Sequence, residues 1–159
     1  MSCHGTGTVV ILDDSQCAGC PGGSDWTDCI NNTVASLGAG GTLQFKRGEV
    51  YNVSGPLVID YEDVTWEATG SGARPIINFS VSPNGGGVGI RKAGATLLDL
   101  DIRGPHYNVG AWADFNRYGI NASRDLNVPT PDGLYISGLS MDLSAMVSRS
   151  MARTMVSPS

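Results

Sequence analysis

The stretch Gly94-Ala95-Thr96-Leu97-Leu98-Asp99-Leu100-Asp101-Ile102 combines a glycine turn, a short β-rich run, a polar break and a second run. Residues 63–68 and 133–141 follow the same template, which therefore recurs at intervals of 31 and 39 residues. Both intervals fall within the roughly 20 to 45 residues typical of solenoid repeats. The recurrence predicts a repeat architecture in which successive copies stack on one another.

Alternation within this stretch predicts which side chains point inward. Read as a strand, it places Leu98, Leu100 and Ile102 on one face, with Asp99 and Asp101 on the other. A coil of stacked strands requires such an apolar interior and polar outer face.

Composition bounds the class of protein. The chain has 159 residues, a net charge of −5, 22 Gly and 8 Pro, which fits one domain with many turns. The 41% hydrophobic content argues against a disordered chain, and no apolar run approaches the roughly 18 residues that would span a bilayer. The acidic balance, with scattered Lys and Arg, argues against nucleic acid as a partner.

Short β-rich runs separated by turn residues predict an all-β fold. The first predicted strand covers residues 8–12. Later predicted strands cover residues 42–45, 50–53, 56–59, 64–67, 75–79, 87–91, 96–102, 118–121 and 134–141.

One helix is predicted between residues 25 and 37. Its apolar face has the spacing of an amphipathic helix. The residues of this face are Trp26, Ile30, Val34 and Leu37. Ser24 or Asp25 is the expected N-cap, and Gly38 is the expected stop.

Four cysteines, Cys3, Cys17, Cys20 and Cys29, lie near the N-terminus. Two disulfides would fasten this segment in an oxidising compartment. A structural zinc site on Cys17 and Cys20, completed by Cys3, Cys29 or His4, is the alternative. No signal peptide is visible in the first residues, and N-glycosylation sequons at Asn31, Asn52, Asn78 and Asn121 are compatible with secretion.

Residues 26–35, 37–45 and 47–51 resemble the N-terminal signature of the right-handed parallel β-helix proteins of the pectin lyase-like group. In that group a helix plugs the open end of the coil, and a Gly-Gly-Thr strand begins the first rung. The resemblance covers about residues 8–143. It implies an all-β fold, a short right-handed parallel β-helix with an N-terminal capping α-helix.

This resemblance divides the chain into three parts. Residues 1–23 are the N-terminal strand and cysteine-rich loop, residues 24–143 hold the capping helix and rungs, and residues 144–159 form a C-terminal tail or capping helix. The second helix is predicted over residues 144–156, because apolar residues recur there at intervals of four.

Residues 105–118 interrupt the rungs and mix aromatic with polar side chains, a composition that suits carbohydrate recognition. The candidate substrate-binding residues are His106, Tyr107, Trp112, Phe115, Asn116, Arg117 and Tyr118. The alternative is that the aromatic residues merely anchor the loop on the coil.

Asp99, Asp101 and Asp114 are the candidate catalytic carboxylates. A carboxylate pair could serve glycoside hydrolysis, and Asp99 with Asp101 could bind Ca²⁺. The alternative is that they are solvated carboxylates on an outer strand face. The pairs Lys46-Arg47 and Arg91-Lys92 are interpreted as solvated turn charges that could also meet an acidic polysaccharide.

The leading hypothesis is an extracellular or cell-surface module that binds or processes polysaccharide or a surface glycan. It could be part of a longer lyase or glycoside hydrolase, although the family's complete catalytic motifs are not visible in this sequence. The alternative is a non-catalytic structural or adhesive protein that forms homo-oligomers through the ends of its coil.

Overall fold

The computed structural model describes residues 9–12, 25–80, 87–104, 120–121, 135–138, 140–141 and 156–157. Within these ranges it has one helix, α1, at Thr27–Leu37. The strands are β1 Val9–Leu12, β2 Thr42–Lys46, β3 Val50–Val53, β4 Leu57–Ile59, β5 Thr65–Thr69, β6 Ile76–Phe79, β7 Val88–Ile90, β8 Thr96–Leu98, β9 Asp101–Arg103, β10 Ile120–Asn121, β11 Tyr135–Ser137, β12 Ser140–Met141 and β13 Val156–Ser157. A mostly β chain with one helix is thus confirmed for the described part.

The strands form three parallel sheets. Sheet A has the order β1-β2-β5-β8-β11-β13, sheet B the order β12-β9-β6-β3, and sheet C the order β10-β7-β4. From β2 to β12 the chain visits sheets A, B and C in fixed rotation, so each strand from β2 to β9 pairs with the strand three places further along. We call each passage through the sheets a layer: β2 to β4 is the first, β5 to β7 the second and β8 to β10 the third.

The register of sheet A confirms the predicted repeat. Thr65 pairs with Thr96 and Thr96 pairs with Tyr135, which are the intervals of 31 and 39 residues seen in the sequence. Thr42 pairs with Thr65 at an interval of 23 residues. Strand β2 is therefore an earlier copy of the repeat, which the sequence template did not include. The signal for it is a threonine followed by a large apolar residue, which Thr42-Leu43 shares with Thr65-Trp66 and Thr96-Leu97.

The inward positions of all three sheets form one apolar core, because side chains alternate along each strand. Sheet A contributes Val10, Leu12, Leu43, Phe45, Trp66 and Leu97; sheet B contributes Tyr51, Val53, Ile77, Phe79 and Ile102; sheet C contributes Leu57, Ile59, Val88, Ile90 and Ile120. Helix α1 adds Cys29, Ile30 and Val34, with Trp26 just before it. Leu37, the fourth member of the predicted helix face, is partly buried against this core.

Aromatic rings join the helix end to the sheets. The Trp26 and Phe45 rings each lie edge-on to Tyr51, with centroids 5.2 Å away, and Phe45 lies 5.5 Å from Trp66. The Tyr51 hydroxyl donates to the Leu12 carbonyl and accepts from the Lys46 N–H. These contacts hold the first layer against strand β1 and the residues at the start of α1.

The predicted strand over residues 96–102 is wrong in one respect, because it is two strands. Asp99 has a left-handed backbone, with φ of 56°, and turns the chain from sheet A to sheet B. The turn shifts the alternation, so Leu97 is the buried residue of β8 and Leu98 lies half-buried on the outer face. Leu100 and Ile102 are buried as expected.

Two corners use the same packing of an aspartate on a glycine. Asp63 and Asp99 both have φ of 56°, and Gly94 and Gly138 occupy left-handed positions in the adjacent layer. A Cβ on either glycine would overlap the carboxylate of the aspartate beneath it. Glycine is needed here for both its backbone and its missing side chain.

The predicted C-terminal helix over residues 144–156 is wrong at its last residue. Val156 belongs to β13, which pairs in parallel with β11. An edge strand leaves backbone N–H and C=O groups unpaired, and pairing with β13 satisfies those of β11. Residues 144–155 lie outside the described ranges. No helix in the described ranges is long and apolar enough to cross a membrane.

Replacement of Gly94 tests the corner packing. Gly94→Ala should lower the free energy of unfolding by about 1–3 kcal/mol, because it strains a left-handed backbone and crowds Asp63. Gly89→Ala is the matched control, since its added Cβ would meet the Leu57 carbonyl oxygen at an ordinary 3.7 Å. Urea unfolding measures both variants, and equal stability of the two would contradict this packing.

Candidate functional site

The outer face of sheet B carries two rows of side chains that run across the layers. Val50, Ile76 and Asp101 are in register in one row. The second row, two residues further along each strand, is Asn52, Asn78 and Arg103. Because parallel strands lie about 4.8 Å apart, each row holds equivalent positions at a regular spacing.

An amide ladder occupies the second row. The Asn78 side-chain Nδ2 donates to Asn52 Oδ1 at 2.8 Å, and both residues are half-buried. This bond orients the two amides along the stacking direction. It also engages the nitrogen that glycosylation of the Asn78 sequon would modify.

An ion pair continues these rows in the third layer. Arg103 Nη2 donates to Asp101 Oδ2 at 2.7 Å, and Arg103 Nε donates to the same oxygen at 3.1 Å. The Asp101 side chain is 14% exposed and that of Arg103 is 28% exposed. Arg103 therefore balances the negative charge of Asp101 at the surface of sheet B.

A second charge cluster lies at the corner between sheets A and B. Arg47 follows β2, Arg74 precedes β6 and Asp99 follows β8, so three successive layers contribute one residue each. Arg47 Nη2 donates to Asp99 Oδ2 at 2.7 Å, while Arg74 Nε lies 3.9 Å from Asp99 Oδ1. We call these three residues the arginine corner.

The structure describes two of the three predicted carboxylates and places them with different partners. Asp99 lies in the arginine corner, and Asp101 pairs with Arg103 on sheet B. Asp114 and the predicted substrate-binding residues between His106 and Tyr118 lie outside the described residues. Among the residues that are described, no group of three or more His, Cys, Asp or Glu side chains could hold a metal ion.

Sequence reasoning missed most of the arginine and amide contacts. Arg47 was interpreted as a solvated turn charge, and no signal singled out Arg74. The partners of these residues are 25 or more positions away, so no local spacing reveals them. Equal register positions in the repeat could have found the Asn52 and Asn78 ladder.

Sheet C is covered at its N-terminal edge by a side chain of α1. Asn31 Oδ1 accepts from the Val58 N–H, and Asn31 Nδ2 donates to the Pro56 carbonyl, both at 3.0 Å. The side-chain amide thus bonds the edge of β4 as a neighbouring strand would. Asn31 Nδ2, which donates to the Pro56 carbonyl, is also the atom that glycosylation of the Asn31 sequon would modify.

Sheet B is covered at the same end by residues that lead into α1. The Trp26 N–H donates to the Asn52 carbonyl at 2.8 Å, and the Ser54 N–H donates to Thr27 Oγ1 at 2.9 Å. The Asp25 carboxylate accepts from the Thr27 N–H, the Thr27 hydroxyl and the Ser54 hydroxyl. The expected N-cap, Ser24 or Asp25, is wrong, because Trp26 occupies the N-cap position without a side-chain cap. Asp25 instead ties the start of the helix to the end of β3.

Hydrogen bonding decides the pKa of Asp25. Partial burial raises this pKa, but the hydrogen bonds from Ser54 and Thr27 outweigh burial and lower it from 3.8 to about 2. The folded state therefore favours the ionised carboxylate.

Cys29 is buried in the core on α1. Its predicted partners, Cys3, Cys17 and Cys20, lie outside the described residues. The disulfide connectivity of the cysteine-rich segment stays a prediction.

Comparisons with known proteins give no family for this chain: no family model, curated protein or solved structure matches it.

Acid titration tests the Asp25 contacts. A carboxylate whose pKa falls on folding stabilises the protein above pH 3.8, and this contribution is lost as the pH falls through about 2. Asp25→Asn should therefore lower the free energy of unfolding by about 1 kcal/mol near neutral pH, with a difference from wild type that shrinks in strong acid. Denaturant unfolding over a pH series measures this.

Asp28→Asn is the control for Asp25→Asn, since Asp28 is an exposed carboxylate in the same first turn of α1. It should lower the free energy of unfolding by less than Asp25→Asn does near neutral pH. Equal losses of stability in the two variants would show that the assigned role of Asp25 is wrong.

Proposed function

We propose that the chain is a short right-handed parallel β-helix of the pectin lyase-like kind, capped by α1, and that it binds polysaccharide on the outer face of sheet B. The rotation of the chain through three parallel sheets supports this fold. Parallel crossover connections are right-handed in about 98% of cases, which supports the proposed hand. The resemblance of residues 26–51 to the N-terminal signature of the group supports it independently.

The polar rows of sheet B carry the binding proposal. Amide and guanidinium groups in one row offer hydrogen-bonding groups at one repeat distance, and the neighbouring row adds the Asp101 carboxylate, which suits a polymer of hydroxyl-bearing units. Val50 and Ile76 lie beside them as apolar contacts for sugar rings. The side chains are already oriented, since Asn52 bonds Asn78 and Asp101 bonds Arg103. An oriented surface loses less side-chain entropy when it binds.

Binding is better supported than cleavage. Glycoside hydrolysis uses two carboxylates that face one scissile bond. Asp99 and Asp101 instead face Arg47 and Arg103, respectively. A processing role would depend on Asp114 and the loop that contains it, outside the described residues.

The described residues do not fit a calcium site. Ca²⁺ takes six to eight oxygen ligands, and most come from carboxylates, carbonyl groups and water. Each of the two candidate carboxylates, Asp99 and Asp101, is bonded to an arginine, whose positive charge opposes a cation.

An extracellular location is part of the proposal. It goes with two proposed disulfides among Cys3, Cys17, Cys20 and Cys29, since disulfides persist in oxidising compartments.

The alternative of self-association through the coil ends finds less support at the N-terminal end. Asn31 bonds the edge of β4, and the segment from Asp25 to Thr27 bonds the end of β3. Sheet edges closed in this way do not offer the backbone groups that strand stacking requires.

A soluble polysaccharide panel tests the proposal by calorimetry. Asn78→Ala should weaken binding to the polymers that bind wild type by about tenfold, because it breaks the amide ladder in the middle layer. Thr65→Ala is the matched control, a half-buried outward residue of the same layer on sheet A. It should leave affinity unchanged.

Absence of binding to any polymer would overturn the proposal, and equal losses in the two variants would place the site away from sheet B. The same panel is assayed for release of reducing or unsaturated sugar. Release that Asp101→Ala abolishes would identify processing rather than binding alone.

A further inference from the structure

The arginine corner combines two guanidinium groups with one carboxylate, so it carries one net positive charge. The whole chain has a net charge of −5, so these three residues together are opposite in sign to the total charge of the chain. A locally positive site on an acidic protein attracts anions selectively.

The Arg74 guanidinium contacts Asp99 only at long range in this corner. Its Nε lies 3.9 Å from Asp99 Oδ1, which is too long for a hydrogen bond. Within the described ranges Arg74 makes no hydrogen bond, although its side chain is only 31% exposed. Its planar N–H donors, held at the surface beside a second arginine, are suited to a planar or tetrahedral oxyanion.

Asp99 places a carboxylate against both arginines of the corner. Its carboxylate accepts one bond from Arg47, and its 46% exposure allows a competing anion to approach. The left-handed backbone at Asp99 holds this carboxylate over Gly138, so it is fixed in place as an internal competitor.

We propose that Arg47 and Arg74 form a subsite for an oxyanion carried by the glycan, either a carboxylate or a sulfate ester, and that Asp99 weakens binding there. This inference rests on the proposed function for its polymer. The subsite lies at the corner between sheets A and B, where all three layers contribute one residue each.

Matched pairs of polymers test the charge requirement. Alginate is compared with alginate whose carboxylates are esterified, and dextran sulfate with dextran, so that the two arms separate carboxylate from sulfate ester. Wild type should bind at least one anionic polymer about tenfold more tightly than its neutral counterpart.

Three variants then locate the effect. Arg74→Gln should lower affinity for the preferred anionic polymer about tenfold, and Asp99→Asn should raise it about threefold, because the internal competitor is removed. Asparagine tolerates a left-handed backbone, so Asp99→Asn keeps the corner. Arg91→Gln removes the same charge from an exposed position after β7 and should change affinity less than twofold.

The outcomes separate this inference from the proposed function. Equal binding of charged and neutral polymers, or equal losses in Arg74→Gln and Arg91→Gln, would overturn the subsite while polysaccharide binding stands. If no polymer binds, the protein is titrated with inorganic sulfate while the NMR signal of the Arg74 Nε–H is recorded. This titration tests whether the arginine corner binds an anion at all. A saturable shift that Asp99→Asn strengthens would support the anion subsite without its polymer, and no shift would overturn both.

Discussion

Hydrogen bonding between successive layers is the constraint on which the rest of the structure depends. From β2 to β9, each strand pairs with the strand three places further along, so its backbone partner lies in the following layer. One bond repeats through sheet A: the N–H groups of Thr65, Thr96 and Tyr135 donate to the carbonyls of Gly41, Val64 and Ala95, each at 2.9 Å. A slip of one residue would turn every buried side chain outward, which explains why the register is strict.

The same register organises the outer surface. Equivalent positions lie one above another, so that Asn52 meets Asn78 and the arginine corner gathers residues from three layers. Helix α1 and its preceding residues close the first layer with side-chain amide and hydroxyl groups where a further strand would otherwise bind. The amide ladder and the arginine corner are therefore products of stacking rather than of any local motif.

How much the sequence could predict follows from the range of each interaction. Local periodicity is enough to predict α1, most strands and the repeat intervals, because turn residues and alternating apolar positions mark them. Alternation predicts that Leu98 lies in the core, but Leu97 lies there instead. This difference could not be predicted, since aspartate at position 99 does not by itself indicate a left-handed backbone. The pairing of Arg47 with Asp99 spans 52 positions and depends on which layers become neighbours.

Cross-linking across sheet A tests this stacking most directly. Neighbouring parallel strands place paired Cα atoms about 4.8 Å apart, within the range of a disulfide. The double variant Thr65→Cys with Thr96→Cys should therefore form a new disulfide in the folded protein, detected by peptide mass mapping, whereas Thr65→Cys with Leu98→Cys should form it far less. Preferential cross-linking of the second pair, or none in either, would contradict the account.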